Sequence, residues 1–511
     1  MQNVLSQHVR VRIAPSPTGK LHIGTARAAL FNYLFAKRNN GRFILRLEDT
    51  DKDRSKSEFD EEIVLYLRWL GMSWDEGALP GGKNTGADGP YRSSERMNLY
   101  RPYIEKLLEK GRAFYCFMTE AHLDDLRKKA DADGTAFLMR SPWRDAPLAE
   151  ARKKVAYGEE HVIRFKVPSG RGAVAFDDCI RGRTEISVDV IEDFAIAKDA
   201  DTALYNFAVA VDDHLMRISH VIRGEDHISN TPKQLLLYEA LDWHPPEFAH
   251  LPLILGPDRS KLSKRHGATS IAEFAAQGYL PEALVNFMAL LGWNPGDARE
   301  LFSLRDLEKE FGLERVQKSG AVFNQEKLDW VNAQHIKRLS DDELAERLME
   351  HLRQYSGNEK KRDAIHDEFA AHTPAKRTSI ARLVKDRLQK LSEFPQYTEF
   401  LFAEPVYGAD LLRWKTMSDE EIAQSLTVTK KLLGDIPSER FNAEWLNAEL
   451  NEYAVALAER GIVDKGTVFW PLRVALTGRK TSPPPVPIME ILGKEKTLQR
   501  IAAAVSIVKK T

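Results

Sequence analysis

Val9, Val11 and Ile13 alternate with Arg10 and Arg12, which is the period of a strand. The breaker cluster APSPTGK follows and reads as a loop. From His22 to about Asn39 apolar residues return at helical spacing, at Ala26, Ala29, Leu30, Tyr33 and Leu34. Gly41 stands where a helix C-cap belongs. RFILRLED then predicts a second strand. Strand, helix and strand in immediate succession make a βαβ unit, so the pattern predicts a parallel sheet with a right-handed crossover.

Further on, SEFDEEIVLYLRWLG predicts a helix with Ser57 as N-cap and Gly71 at its end. ALPGGKNTGADGPY reads as a glycine-rich surface loop. Between Arg101 and Ala203 the pattern is mixed, and HVIRFKVPSG and RTEISVDVIEDFAIAK alternate like antiparallel strands, which suggests an inserted domain. The parallel-sheet signature returns with ALYNFAVAVDDHL and ISHVIRGEDH, followed by the helix TPKQLLLYEALDW. Beyond about residue 330 strands give way to amphipathic helices: SDDELAERLMEHLRQY, SIARLVKDRLQKLSEF and AEWLNAELNEYAVALAERG. TSPPPVP, near Pro484, reads as a rigid kink or linker, and there is no internal repeat.

The 511 residues exceed what one hydrophobic core supports and suggest about three or four domains. With 74 Lys and Arg against 75 Asp and Glu, a histone-like binder is excluded, and nucleic-acid binding would rest on local patches. Cys116 and Cys179 are the only cysteines, too few for a disulfide framework or a four-cysteine zinc site. The N-terminal MQNVLSQHVRVRI lacks a signal-peptide apolar region, and no apolar run approaches the roughly 20 residues of a membrane span. A soluble protein of the reducing cytoplasm is expected.

Two stretches carry chemistry. His22 opens a helix, beside backbone N–H groups left unpaired in the first turn and a dipole that favours an anion. With a proline-braced loop before it and the small Gly24 after it, this predicts a phosphate cradle. A capping histidine without a ligand is the plainer alternative. In KLSKRHG, after GPDRS, Lys261 and Lys264 flank Ser263 and could neutralise a triphosphate; the alternative is a solvated basic loop. Arg12 lies at the carboxyl end of the first strand, where ligands of open α/β sheets bind, and its fork matches a carboxylate.

In combination, PTGKLHIGT after the first strand and KLSK after the last resemble the two signatures of class I aminoacyl-tRNA synthetases. The closer resemblance is to the glutamyl-tRNA synthetases. It is carried by RIAPSPTGKLHIGTARAALFNYLFAKRNNGRFILRLEDTD, AVDDHLMRISHVIRGEDHISNTPKQLLLYEAL, HLPLILGPDRSKLSKRHGATSI, FWPLRVALTGR and ILGKEKTLQRIA, and runs from about residue 10 to about 505. The fold so implied is α/β, a Rossmann-type parallel-sheet catalytic domain (1–100 and 204–255) with an inserted α+β acceptor-stem-binding domain (101–203). A stem-contact region (256–335) carries the KLSKR loop. All-helical anticodon-binding domains follow at 336–400 and 401–511.

The implied activity is ATP-dependent ligation of glutamate to tRNA(Glu), through a glutamyl-adenylate. His22, Lys261 and Lys264 would be catalytic, with Gly24 and Ser263 completing the ATP site. Arg12, Ala14, Ser16, Glu48, Tyr205 and Arg223 would surround glutamate. Glu48 would meet the α-ammonium, Arg12 and Tyr205 the side-chain carboxylate, and Arg223 would add positive charge. Glutamine would leave a buried arginine uncompensated, at about 3–5 kcal/mol, so editing is unnecessary. Mg²⁺ would arrive with ATP. A monomer is implied, and whether tRNA(Gln) is charged too is left open. Small-molecule nucleotidylyltransferases share the His-x-Gly signature but need no long helical half. A silent tRNA-binding paralogue would not need His22, Lys261 and Lys264.

Departures from the family pattern are Thr25 at the end of the first signature, Leu262 in place of methionine, and Val209 where some members have asparagine. Cys116 is followed by Met118 rather than a second cysteine, so no zinc is expected. Asp212, Asp213 and His214 could suggest a metal triad, but a structural turn at the sheet edge is the favoured reading. In AKRTSIARLVKDRLQK, Val384, Leu388 and Leu391 would face the core, leaving Arg382, Lys385 and Arg387 for tRNA phosphates.

Overall fold

The computed structural model describes residues 8–49, 56–134, 139, 141–355, 360–459 and 464–510. The chain forms two compact units, one of residues 1–275 and 281–328, the other of 276–280 and 329–511.

The first unit opens with the predicted βαβ unit: β1 (Arg10–Ile13), α1 (Ile23–Arg38) and β2 (Arg42–Leu45). The two strands pair in parallel, Arg10 opposite Arg42 and Ile13 opposite Leu45. The sheet continues through β3 (Glu76–Ala78) to β4 (Asn84–Thr85), so the glycine-rich loop contains a short hairpin. All five apolar positions that define the α1 stripe are buried, and so are Ile23, Arg27, Ala28, Phe31, Asn32 and Ala36, so the helix is covered well beyond one face. Its C-terminus differs from expectation by one residue. Asn40 takes the left-handed position, and the Gly41 N–H closes the last turn on the Ala36 carbonyl at 2.8 Å. Gly41 is glycine for another reason: a Cβ there would lie 2.3 Å from the Val9 carbonyl oxygen. The next helix, α2 (Ser57–Trp69), starts at Ser57 with Lys56 in the cap position, and ends before Gly71 at φ 80°.

The middle of the unit places α3 (Met97–Glu109), β5 (Ala113–Cys116), α4 (Glu120–Ala132), α5 (Leu148–Ala156), β6 (Val162–Phe165), β7 (Ala173–Asp178), β8 (Gly182–Ser187), β9 (Ala195–Asp199) and β10 (Thr202–Ala203) in succession. Strands β10, β9, β6 and β5 form the antiparallel sheet expected there. The β7–β8 hairpin does not join it. Asp178 of β7 pairs in parallel with Phe248 of β12 (Glu247–Leu251), which pairs in parallel with β11 (His220–Gly224). A segment read as part of the insertion thus extends the catalytic sheet. The two parallel half-sheets meet where the Ser219 N–H reaches the Arg10 carbonyl at 2.9 Å.

ALYNFAVAVDDHL is the helix α6 (Tyr205–Leu215), not a strand. Its run from Phe207 to Val211 is buried on all sides, and a short apolar run has no period to tell the two apart. With α7 (Thr231–Ala240) it shares one core with β5, β6 and β9. β13 (Ile254–Leu255) and β14 (Ala321–Val322) form a small parallel pair.

The second unit is helical among its described residues. Asp341–Tyr355 and Ala443–Glu459 are helices as expected. The basic segment is a helix only over Pro374–Val384, then a single turn at Lys385–Arg387. Val384, Leu388 and Leu391 are buried. TSPPPVP is no linker: Pro485 opens the helix Pro485–Leu492, where a first-turn proline loses no hydrogen bond.

Candidate active site

A cavity of about 450 Å³ opens at the carboxyl ends of β1 and β11, between them and the loop after β12. This is the crevice position of open parallel sheets. Its wall includes Arg12, Ala14, Ser16, His22, Gly24, Glu48, Tyr205, Arg223 and Lys261, nine of the residues singled out from sequence. Ser263 and Lys264 do not line it. Ser263 instead caps the short turn Lys264–His266, and Lys264 is exposed.

The structure shows the capping role of the His22 side chain. His22 is the N-cap of α1, and its Nδ1 accepts the Gly24 N–H at 3.0 Å. Nδ1 is therefore unprotonated, and Nε2 carries the hydrogen and remains for a ligand. Burial, with Lys261 nearby, holds His22 below the usual histidine range, which favours this neutral form. A Cβ on Gly24 would press to 3.3 Å from Nδ1, so the glycine protects the cap. Pro15 and Pro17 are buried, and their carbonyls accept from the backbones of Glu48 and Lys56.

Beneath this rim lies an ionic floor. Arg12 is bidentate to Asp213, with Nε and Nη2 donating at 3.0 and 3.2 Å. Arg46 donates to Asp213 at 2.7 Å and to Glu48 at 3.2 Å. Arg96 and Tyr100 donate to Asp212 at 2.5 and 2.9 Å. Asp212 and Asp213 thus form no turn at a sheet edge: they are buried on α6, Asp212 bound by Arg96 and Asp213 by Arg12 and Arg46. Burial pushes the Glu48 carboxyl up, against the pull of Arg46 and Arg12. For Asp213 burial acts the same way, but Arg12 and Arg46 outweigh it and hold the carboxyl below its usual range.

Three arginines and three carboxylates balance, so the Arg12 charge is already compensated within the protein. Besides Arg27, Arg223 is the remaining buried cation of the wall. It donates through Nη2 to Thr231 at 2.8 Å and Gln234 at 2.9 Å, and through Nε to His250 at 3.3 Å. None of these partners is anionic, and its Nη1 is buried with no hydrogen-bond partner. Arg223 is 7% exposed and lines the cavity. Tyr205, pushed up to about 12 by burial and the nearby Glu48, bonds His227 Nδ1 at 3.0 Å.

Sequence reasoning missed Asp226, His227, Thr25 and Arg27, all in the cavity wall. Asp226 holds Lys261 at 3.0 Å. Arg27 donates to the carbonyls of Leu291 and Pro252, fixing the loop after β12. GEDH, directly after Arg223 on the same strand end, was the available signal. Val209 is buried in α6 and does not line the cavity. Cys116 is buried against Ser141, and among the described residues no group of three metal-binding side chains converges. No helix there is long and apolar enough to cross a membrane.

The sheet, its carboxyl-end cavity and the histidine-capped helix define a class I aminoacyl-tRNA synthetase catalytic unit. Residues 8–330 match the family described as tRNA synthetases class I (E and Q), catalytic domain, and residues 343–505 match an anticodon binding domain. The chain is 41% identical to glutamate–tRNA ligase 2 of Caldicellulosiruptor saccharolyticus, covering 96% of this chain and 98% of that one. It is 41% identical to the glutamate–tRNA ligase of Carboxydothermus hydrogenoformans, covering 96% and 99%. The crystal structure of a glutamate tRNA ligase from Elizabethkingia meningosepticum in complex with its amino acid superposes with a TM-score of 0.85. That chain is 34% identical, with 98% of this chain and all of that one covered. The chain belongs to the glutamate–tRNA ligase family.

Proposed function

We propose that this cavity joins L-glutamate to ATP and passes the glutamyl group to tRNA(Glu), in the cytoplasm and as a monomer. An oxygen of the glutamate α-carboxylate attacks the α-phosphorus, the bond to pyrophosphate breaks, and glutamyl-adenylate results. The carboxylate is already ionised, so no general base is needed, and catalysis is positioning and charge stabilisation. The terminal ribose hydroxyl of tRNA then attacks the acyl carbonyl and AMP leaves. His22 Nε2–H and Lys261 meet the ATP phosphates, and Lys264 and Ser263 complete that site from the adjacent loop. Mg²⁺ accompanies the nucleotide.

The observation that carries the choice of amino acid is Arg223, a buried arginine at the carboxyl end of β11 without an anionic partner, its Nη1 buried and unpaired. A glutamate side-chain carboxylate satisfies it, whereas glutamine supplies no charge. Glu48, pushed up by burial, accepts the α-ammonium. Arg12, Ala14, Ser16 and Tyr205 complete the amino-acid pocket. Residues 101–203 bind the acceptor stem, 256–335 form a stem-contact region, and the helical unit reads the anticodon.

The test is ATP-dependent attachment of labelled glutamate to purified tRNA(Glu) and tRNA(Gln), assayed separately, with glutamine as competing amino acid. Charging of tRNA(Glu) with glutamate alone is expected. Charging of neither tRNA by folded protein overturns the reading. No observation favours charging of tRNA(Gln), and the second arm measures it directly.

A further inference from the structure

Behind Arg223, away from the cavity, lies a pair of buried side chains that the reaction itself does not use. His250 on β12 and Asp178 on β7 are both fully buried, and His250 Nδ1 donates to Asp178 Oδ2 at 2.6 Å. Asp178 is held in turn: its Oδ1 accepts the N–H groups of Ile180 and Arg181, each at 2.9 Å. With Nδ1 protonated, Nε2 of the neutral ring is an acceptor. That acceptor faces Arg223 Nε at 3.3 Å and the Thr231 hydroxyl at 3.0 Å. A hydrogen-bonded chain therefore runs from the β7 turn, through the ring, to the guanidinium that lines the cavity.

We propose that Asp178 and His250 are positioning residues for amino-acid recognition, fixing the ring tautomer so that His250 orients Arg223 with its free Nη1 toward the substrate carboxylate. Three features support this reading. A guanidinium with three N–H donors, one on Nε and two on Nη2, engaged in different directions can be fixed only if each neighbour is an acceptor. Thr231, Gln234 and His250 are three such acceptors. The opposite ring tautomer would point N–H against N–H at Arg223. Burial holds His250 below the usual histidine range, so it does not add a second positive charge beside Arg223. Buried ionisable pairs are retained where they set geometry rather than where they add stability.

The inference rests on Arg223 reading the side-chain carboxylate, and the experiment separates the two. Aminoacylation of tRNA(Glu) is followed with glutamate varied at saturating ATP and tRNA, for His250→Phe, His250→Gln, Asp178→Asn and Arg223→Gln. His250→Phe keeps a flat ring between Phe176 and Phe248 and removes the acceptor. It is expected to raise KM for glutamate about tenfold or more, with KM for ATP unchanged and kcat within about threefold. His250→Gln, whose carbonyl can replace Nε2, should recover most of the loss. Asp178→Asn, which forces the wrong tautomer, should act as His250→Phe does. KM reports only the folded fraction, so a merely structural role lowers the apparent kcat and leaves KM where it was. An unchanged glutamate KM in His250→Phe and Asp178→Asn, while Arg223→Gln raises it, overturns the positioning role alone. An unchanged KM in Arg223→Gln overturns the recognition reading and this inference with it.

Discussion

The floor and the rim of the cavity handle charge in opposite ways. In the floor, the Arg46 side chain is wholly buried and those of Arg12 and Asp213 are 5% and 3% exposed. At the rim, the Lys261 side chain is 63% exposed and its partner Asp226 45%. Floor charges lost their water on folding, and only ideally placed partners offset that cost. Rim charges keep their water until a ligand arrives and cost the fold little. The floor is therefore rigid and selective, set up to recognise a bound charge. The rim is a set of compact cations on flexible stems, suited to charge that develops and departs with pyrophosphate.

If this division is right, floor mutations act on binding and choice of amino acid, and rim mutations act on rate. The largest effect is expected for Arg223→Gln: kcat/KM for glutamate falls by about three orders of magnitude, the scale of breaking a buried ion pair. Competition between glutamate and glutamine, measured by labelled aminoacylation, should narrow at the same time. Next comes Lys264→Ala, which should lower kcat about a hundredfold, the scale of one transition-state donor, with KM for glutamate nearly constant. A rise in glutamate KM with unchanged kcat would erase the distinction between floor and rim.

The rim and the floor were not equally legible in the sequence. The strand–loop–helix around His22 could be read directly, because its partners are local: His22 caps on Gly24, two residues away. The floor could not. Asp212 meets Arg96 and Asp213 meets Arg12 and Arg46, across 116, 201 and 167 residues, and no spacing rule reaches that far. So the Asp213 partner that neutralises Arg12 went unseen. The buried α6 escaped for a related reason: a helix apolar on every side has no stripe. Lys264 shows the converse limit, since the motif that singled it out says nothing of where its side chain rests.

The helical unit extends the comparison. Arg382, Lys385 and Arg387 were expected to face solvent for phosphates, yet each is engaged. Arg382 donates to Asp341 at 2.7 Å, Lys385 to the Leu339 carbonyl and to Asp341, and Arg387 to the Ser482 carbonyl at 2.8 Å. Arg382 and Arg387 are exposed as the rim is, the Arg382 side chain at 68%; that of Lys385 is 18% exposed. Arg382→Ala is expected to raise KM for tRNA a fewfold and to reduce the slope of log affinity against log salt by about 0.7–0.9, one phosphate contact. Lys385→Ala should leave that slope alone and lower the urea midpoint instead. Equal salt slopes for both variants and the parent chain would remove this segment from the tRNA contact.

The smallest effect is that of the His22 cap on stability, and the residue belongs to both regions: one ring nitrogen is committed to the fold and the other is left for the proposed ligand. His22→Asn keeps a side-chain oxygen to cap α1, so the unit should be as stable as the parent chain while adenylate formation is lost. His22→Ala loses both, and should cost about 1 kcal/mol in a urea titration, the usual value of an N-cap. The pH dependence has a definite sign. Burial, ahead of the nearby Lys261, lowers the folded pKa of His22 below the free value of 6.5, so the unfolded chain binds more protons between the two values. The stability that neutral His22 contributes is complete above pH 6.5 and is lost as the pH falls through that interval toward the folded value, where Nδ1 is protonated and the Gly24 N–H loses its acceptor. His22→Asn should lack this acid limb. A stability-versus-pH curve for His22→Asn that matches the parent chain below pH 6.5 would show that the ring does not cap the helix in solution.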